Sequence, residues 1–184
     1  MRVKDRPPCL GVRYKPAAER ETGRAVNHTL IQGEFLRTID ARYRVSIPAE
    51  LCTLLGGETA GCILVKERPG ALSLWAAADW QSRHELGVQL VHNKLAAGRL
   101  DGRLEEVQRL GRLLSTRHRS VQLAGRGRLV IPEGFREFLG VAAGGDLTII
   151  GAAVCIELWN PAAWFTYLQD AIPEFQRLFA GLTA

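Results

Sequence analysis

From Glu34 the chain alternates between apolar and polar positions, with Phe35 and Leu36 and then Ile39 before a polar stretch at Asp40 to Tyr43, and Val45 and Ile47 after it. Alternation on both sides of a short polar loop predicts a hairpin. Pro48 follows where the first turn of a helix tolerates it, since its fixed φ suits the helix and its missing N–H would have no partner there. Gly56 stands where a helix needs a left-handed stop. A helix of one to two turns is therefore predicted between this hairpin and a second one, built from CILVKE, a turn at Arg68-Pro69-Gly70, and ALSLW. The plan then returns: SVQL, a loop, RLVI, Pro132, a helix to Gly140, DLTII, a turn near Gly151 to Ala153, and VCIELW.

The return keeps register. DARYRVSIP at Asp40 to Pro48 falls on AGRGRLVIP at Ala124 to Pro132 with an offset of 84, which also carries Leu55-Gly56 to Leu139-Gly140, Gly61 to Gly145, Leu74-Trp75 to Leu158-Trp159 and Trp80 to Trp164 without insertion or deletion. A chance pair of strand-turn-helix signals does not hold register that long. The expectation is a duplicated module with an Arg-x-Arg loop in each copy.

Each copy runs on into a helix. In the second, Asn160 suits the N-cap, Pro161 the first helical residue, and Trp164, Leu168 and Ile172 form one apolar stripe before Pro173. In the first, helix is expected from about Ala77 through a longer bridge to Ser115. Leu86 and Leu90, then Leu104, Val107 and Leu114, keep helical spacing there, with a break at Gly98 and Asp101-Gly102. Such stripes are packing surfaces. Residues 1–32 are polar, carry Pro7, Pro8 and Pro16, and show no periodicity, which reads as a disordered basic arm. The organisation expected is an arm at 1–32, a first module at 33–80, a helical bridge at 81–117, a second module at 118–164 and a C-terminal helix at 165–184.

A chain of 184 residues, 47% of them hydrophobic, can bury one good core or two small ones. Its net charge of +5 invites a nucleic-acid reading, but residues 1–33 hold seven basic residues against three acidic ones, so most of the excess lies in the arm. Such an arm holds DNA phosphates or is a solvated tail. In the nearly neutral repeat the arginines cluster locally: Arg37, Arg42 and Arg44 around the first loop, and Arg117, Arg119, Arg126 and Arg128 around the second. No run of about 18 apolar residues exists to span a bilayer and no apolar signal core stands at the N-terminus, so a cytoplasmic protein is expected. Cys9, Cys52, Cys62 and Cys155 form no C-x-x-C pair and no zinc pattern, which points to reduced thiols and no metal.

Catalytic constellations are missing from the sequence. There is no phosphate loop of the G-x-x-x-x-G-K-[ST] kind, no H-E-x-x-H and no G-x-S-x-G. His28, His84, His92 and His118 are scattered and read as surface or packing residues. Gly125-Arg126-Gly127-Arg128 opens a strand rather than a helix, so it is a hairpin turn and not a dinucleotide loop. Neither enzyme activity nor a cofactor is expected.

Two copies of an R-x-R loop, aliphatic strand, I-P, short helix and closing L-W pair resemble the MraZ family of bacterial transcriptional regulators, over about Glu34 to Trp164. The most specific mark is the family's D-x-x-x-R loop, seen as Asp40, Ala41, Arg42, Tyr43, Arg44 and, altered, as Ala124, Gly125, Arg126, Gly127, Arg128. The resemblance implies an α+β fold with a mainly β core, a pseudo-twofold pair of interlocked swapped-hairpin βαββ modules of the AbrB/SpoVT type with flanking helices. It also implies a ring-like homo-oligomer that binds repeated boxes on double-stranded DNA upstream of its own gene, at the nucleoid, and represses the division and cell-wall cluster. Copy one has Tyr43 where the family's loop has a glycine, and copy two has Ala124 in place of the acid.

On this reading Arg44 and Arg128 are the principal DNA contacts, Arg42 and Arg126 meet phosphates or second bases, and Asp40 orients its loop. A guanidinium fork matches both a phosphate and a guanine edge. Tyr43 is expected to point to water. Three readings stay open: a sequence-specific repressor; an antitoxin-like protein-interaction module of the same fold; and an enzyme on a related barrel, disfavoured by the lack of a coupled acid, base or nucleophile. No membrane or small-molecule partner is expected.

Overall fold

The computed structural model describes residues 30–57, 61–98 and 102–183, so all but the last three residues of the expected arm lie outside the described residues. In chain order the elements are β1 (Glu34–Thr38), β2 (Arg44–Ser46), α1 (Ala49–Leu54), β3 (Gly61–Arg68), β4 (Ala71–Ala76), α2 (Ala77–Ala96) and α3 (Leu104–Thr116), followed by β5 (His118–Gln122), β6 (Arg128–Val130), α4 (Glu133–Leu139), β7 (Asp146–Gly151), β8 (Ile156–Trp159), α5 (Pro161–Ala171), a 3-10 turn (Ile172–Glu174) and α6 (Phe175–Thr183). The result is an α+β fold whose core is antiparallel sheet. One sheet has six strands in the order β1-β7-β8-β4-β3-β5, and β2 and β6 form a separate two-stranded ribbon.

The predicted first hairpin of each copy does not close on itself. β1 pairs with β7 and β2 with β6, while β5 pairs with β3, so the strands flanking each Arg-x-Arg loop find their ladders in the other half of the chain. The cause lies in the apolar positions. Ile39, Val45 and Ile47 are all buried, as are Leu123, Leu129 and Ile131, and one two-stranded hairpin has no second layer against which to bury them. Crossing between the sheet and the ribbon places these residues, with Leu64, Leu74, Leu147, Ile149 and Leu158, in a single cluster. Removal of Leu129, which is fully buried at the middle of the ribbon, would cost about 2–5 kcal/mol.

Register locates an internal twofold axis. Val45 faces Leu129 in the ribbon and Ser73 faces Glu157 where β4 meets β8, and both pairs are separated by 84 residues. The axis therefore runs through these two pairs. It relates even the local hydrogen bonds: the Trp75 indole N–H donates to Ser73 Oγ (2.7 Å) and that of Trp159 to Glu157 Oε2 (2.8 Å).

The offset is not uniform, contrary to the unbroken register expected from sequence. β1 pairs Thr38 with Asp146 whereas β5 pairs Gln122 with Gly61, so β3 maps onto β7 with an offset of 85. Gly61 thus corresponds to Asp146 and not to Gly145. The second copy has one more residue between α4 and β7; the first regains it in a bulge between Lys66 and Arg68, after which 84 applies again. A one-residue slip reverses the faces of a strand, and here it sets Cys62 and Leu64 inward in one copy, Leu147 and Ile149 in the other.

The helices stand where expected with one change, but their apolar stripes are not packed as expected: Leu86, Leu104 and Ile172 are exposed, and α3 and α5 bury no residue. Asn160 caps α5, its Oδ1 accepting from the Ala162 N–H (3.0 Å), and its Nδ2 also donates to the carbonyl of Gly140 at the end of α4 (2.9 Å). Between α2 and α3 stand Gly98 and Gly102, both with positive φ. Pro173 does not end the helical run: it sits at the start of the 3-10 turn, where no N–H is required, and the chain re-enters helix as α6. No helix among the described residues is long and apolar enough to cross a membrane.

Candidate nucleic-acid interface

The ribbon carries the two loops at its opposite ends, Tyr43 meeting Ile131 at one and Gly127 meeting Ile47 at the other. Arg44 lies opposite Val130 and Ser46 opposite Arg128. Opposed residues of an antiparallel pair share a face, and with Val45 and Leu129 turned into the core the other face carries Arg44, Ser46, Arg128 and Val130 outward. Arg44 and Arg128 are diagonal neighbours on it, about 7–8 Å apart at Cα by the geometry of such a pair. Arg42 and Arg126, at the two tips, are exposed. The structure thus brings Arg44 and Arg128 together on one face, while Arg42 and Arg126 stand beyond opposite ends of the ribbon.

Loop one is built around Asp40. Its Oδ1 accepts from the backbone N–H of Arg42 (2.8 Å) and of Arg44 (2.9 Å), while Oδ2 accepts from Arg44 Nε (2.6 Å). The Arg44 N–H bond above all, then the Arg44 side chain and the Arg42 N–H, hold the carboxyl below its ordinary value of 3.8 against a smaller opposing effect of desolvation. One acid therefore closes the turn and aims one guanidinium.

Loop two has no such acid. The Ala124 carbonyl accepts from the Arg128 N–H (3.0 Å), where a side chain accepts the corresponding N–H in loop one, while the Ala124 N–H donates to the Arg128 carbonyl (2.9 Å) as the Asp40 N–H does to that of Arg44 (2.9 Å). Arg126 and Gly127 both adopt left-handed φ, 65° and 68°. Among the described residues the guanidinium groups of Arg42, Arg126 and Arg128 make no hydrogen bond or ion pair.

Tyr43 does not point to water as expected. It holds a φ of 56°, packs against the core and lies under the guanidinium of Arg136, 4.2 Å from the ring centroid. Arg136 Nε also donates to the Ile131 carbonyl (2.9 Å), and the Ile131 N–H donates to the Tyr43 carbonyl (2.9 Å). Sequence reasoning missed Arg136. Its signal was available at the same offset: the pair Tyr43 and Arg136 in one half corresponds to Gly127 and Cys52 in the other, large with large and small with small. Gly127 has no room for more, since a Cβ there would stand 2.6 Å from Cys52 Sγ and 2.8 Å from the Ile47 carbonyl oxygen.

Other clustered arginines serve elsewhere. Arg117 stands at the far end of β5 from loop two, where it donates to the Lys66 carbonyl (3.0 Å) and pairs with Glu67 (3.1 Å) to fasten the β3 bulge. Arg37 lies over Phe35 on β1, and Arg119 is exposed on β5. The histidines are not all scattered, because His84 and His118 meet at 5.0 Å between ring centroids and both contact Trp80. No group of three or more metal-ligating side chains assembles among the described residues. Burial raises the Cys62 thiol, and burial followed by the charges of Glu157 and Glu67 pushes Cys155 up to about 12, so both stay protonated at neutral pH. A concavity of about 700 Å³ between α5 and α6 is lined by apolar residues such as Leu168, Ile172 and Leu178, and by no loop arginine.

These features define a class: an internally duplicated α+β protein whose two Arg-x-Arg loops flank one exposed ribbon. A family profile described as "MraZ protein, putative antitoxin-like" matches residues 116–179. The Transcriptional regulator MraZ of Leuconostoc mesenteroides is 25% identical over 153 residues, covering 83% of this chain and 96% of that protein. Those of Acetivibrio thermocellus (26% over 141 residues; 77% and 88%) and Thermus thermophilus (24% over 142 residues; 77% and 90%) align similarly. The chain is thus similar to the MraZ family, through a profile that matches part of its second half and through relatives about 25% identical over most of its length. The solution structure of PHS018 from Pyrococcus horikoshii superposes on 70% of this chain and 88% of that one at 14% identity, with a TM-score of 0.29.

Proposed function

We propose that this protein is a sequence-specific DNA-binding transcriptional regulator whose two loops, carried by swapped-hairpin modules, enter the major groove as a β-ribbon. The observation that carries this reading is the shared outward face of Arg44 and Arg128, flanked by the exposed tips of Arg42 and Arg126. A two-stranded ribbon fits the major groove, and an arginine fork reads guanine O6 and N7 there. Arg44 and Arg128 take the base contacts, Arg42 and Arg126 the phosphates, and Asp40 sets the aim of Arg44. The relatives' shared name, transcriptional regulator, supports the same reading.

One base contact of this kind discriminates by about 1–3 kcal/mol, too little to find an operator alone. Several copies meeting repeated boxes in register raise the effective affinity without a new kind of contact. The proposed working form is a homo-oligomer on repeated boxes upstream of its own gene, repressing the division and cell-wall cluster at the nucleoid. Exposed Phe175, Leu178, Phe179 and Leu182 on α6, with Leu104 and Leu113 on α3, supply apolar surface for self-association. The test is fluorescence anisotropy on the duplex immediately upstream of the gene beside a shuffled duplex, at two salt concentrations. Preferential binding that weakens steeply with salt supports the proposal, and equal or absent binding to both duplexes overturns it.

A further inference from the structure

The internal axis exchanges Arg44 with Arg128 on the ribbon face, and it also exchanges Ser46 with Val130. The first pair is identical and the second is not. Val130, opposite Arg44, is 48% exposed, while the corresponding neighbour of Arg128 is the exposed hydroxyl of Ser46. Folding gains little from a branched aliphatic side chain left half in water between charged neighbours. Its chemistry does match one feature of the major groove, the C5 methyl of thymine, which proteins read by apolar contact; a serine hydroxyl meets any base edge and recognises no methyl.

We infer that Val130 and Ser46 are specificity-determining residues that make the two halves of the ribbon read unequal base steps. The inference rests on the proposal that the ribbon reads DNA. A residue opposite Arg44 lies about 4.5–5.5 Å from it at Cβ, and successive bases of a strand are about 3.4 Å apart, so Val130 addresses a base adjoining the guanine held by Arg44. The site read is a guanine with a neighbouring thymine on the Arg44 side, and a guanine beside a base without methyl preference on the Arg128 side. Internal symmetry in the protein thus produces an oriented, asymmetric DNA unit.

The test starts by selecting a duplex from a random-sequence pool with the full chain. Each thymine of the selected duplex is then replaced by deoxyuridine, which lacks only the methyl group. One thymine adjoining a guanine weakens wild-type binding by about three- to fivefold when replaced, the worth of about one buried methyl. Val130→Ser, which installs the residue already present across the axis, abolishes that sensitivity, and Ser46→Val creates a second one on the Arg128 side. Unfolding midpoints check that both variants fold. A selected duplex bound equally well with every thymine replaced, or a Val130→Ser protein that keeps the sensitivity, overturns the inference alone. A pool from which no sequence is enriched removes the DNA-reading proposal and the inference with it.

Discussion

Tyr43 and Gly127 occupy the same place in the two halves, with φ of 56° and 68°, and each presents its carbonyl to the N–H of an isoleucine across the axis, Ile131 and Ile47 respectively, at 2.9 Å. Around that shared backbone the side chains differ completely. Loop one gives the Arg44 N–H to an acid and covers a large ring with Arg136; loop two gives the matching N–H to a main-chain carbonyl and leaves a gap that only glycine fits above Cys52. Loss of the acid at Ala124 therefore does not open the second loop, because the Arg128 N–H has the Ala124 carbonyl instead. What differs is the freedom of the arginine. Arg44 is pinned before any partner arrives, whereas Arg128 must be ordered on binding, at a cost of about 0.5–1.5 kcal/mol for such a side chain.

The largest effect expected comes from forcing the loops to be alike. Gly127→Ala places a Cβ against Cys52 Sγ and the Ile47 carbonyl in a left-handed conformation, and should destabilise by about 2–4 kcal/mol in urea unfolding. A variant as stable as wild type would show that the close approach of Cys52 and Ile47 does not demand glycine at this position. Next in size, Arg136→Ala removes the cover of Tyr43 and a hydrogen bond to Ile131, for about 1–2 kcal/mol. Combined with Tyr43→Ala it should cost less than the sum of the two single changes; strict additivity would deny the coupling.

The smallest stability effect is at Asp40. Asp40→Asn keeps an oxygen for the backbone N–H groups but loses the charge facing Arg44, so its signature is a mobile Arg44 Nε–H by NMR with little change in unfolding. Because the folded carboxyl titrates below its ordinary 3.8, its contribution is complete above that value and disappears as pH falls through the lower folded value. A carboxyl midpoint at or above 3.8 would contradict the loop geometry. Loop two, without an acid, should show no matching transition.

Much of this was legible in the sequence. The proline and glycine punctuation placed both short helices, Asn160-Pro161 marked the start of α5, and the repeated R-x-R marked the tips. Strand partners were not legible, since alternation tells which face of a strand is buried but not which strand lies beside it; β1 and β2 read as one hairpin and pair with β7 and β6. The offset misled for a related reason. Gly61 and Gly145 match as letters, yet a bulge near Glu67 and an added residue before β7 cancel, and neither leaves a mark at the level of spacing. Tyr43 was misread because its cover, Arg136, is 93 residues away in the chain and meets it only through the exchange of strands.

The central claim is that the paired arginines of the ribbon read base sequence. It is tested most directly by the ratio of affinities for the native upstream duplex and its shuffled counterpart, measured by anisotropy for Arg44→Ala, Arg128→Ala and Arg103→Ala, the last removing an equal charge from the turn before α3. Each ribbon substitution should lower the ratio by about 5- to 150-fold, with Arg44→Ala the larger because its side chain is already held in place, while Arg103→Ala leaves the ratio unchanged. If Arg44→Ala and Arg128→Ala both retain the wild-type ratio, the ribbon does not read DNA.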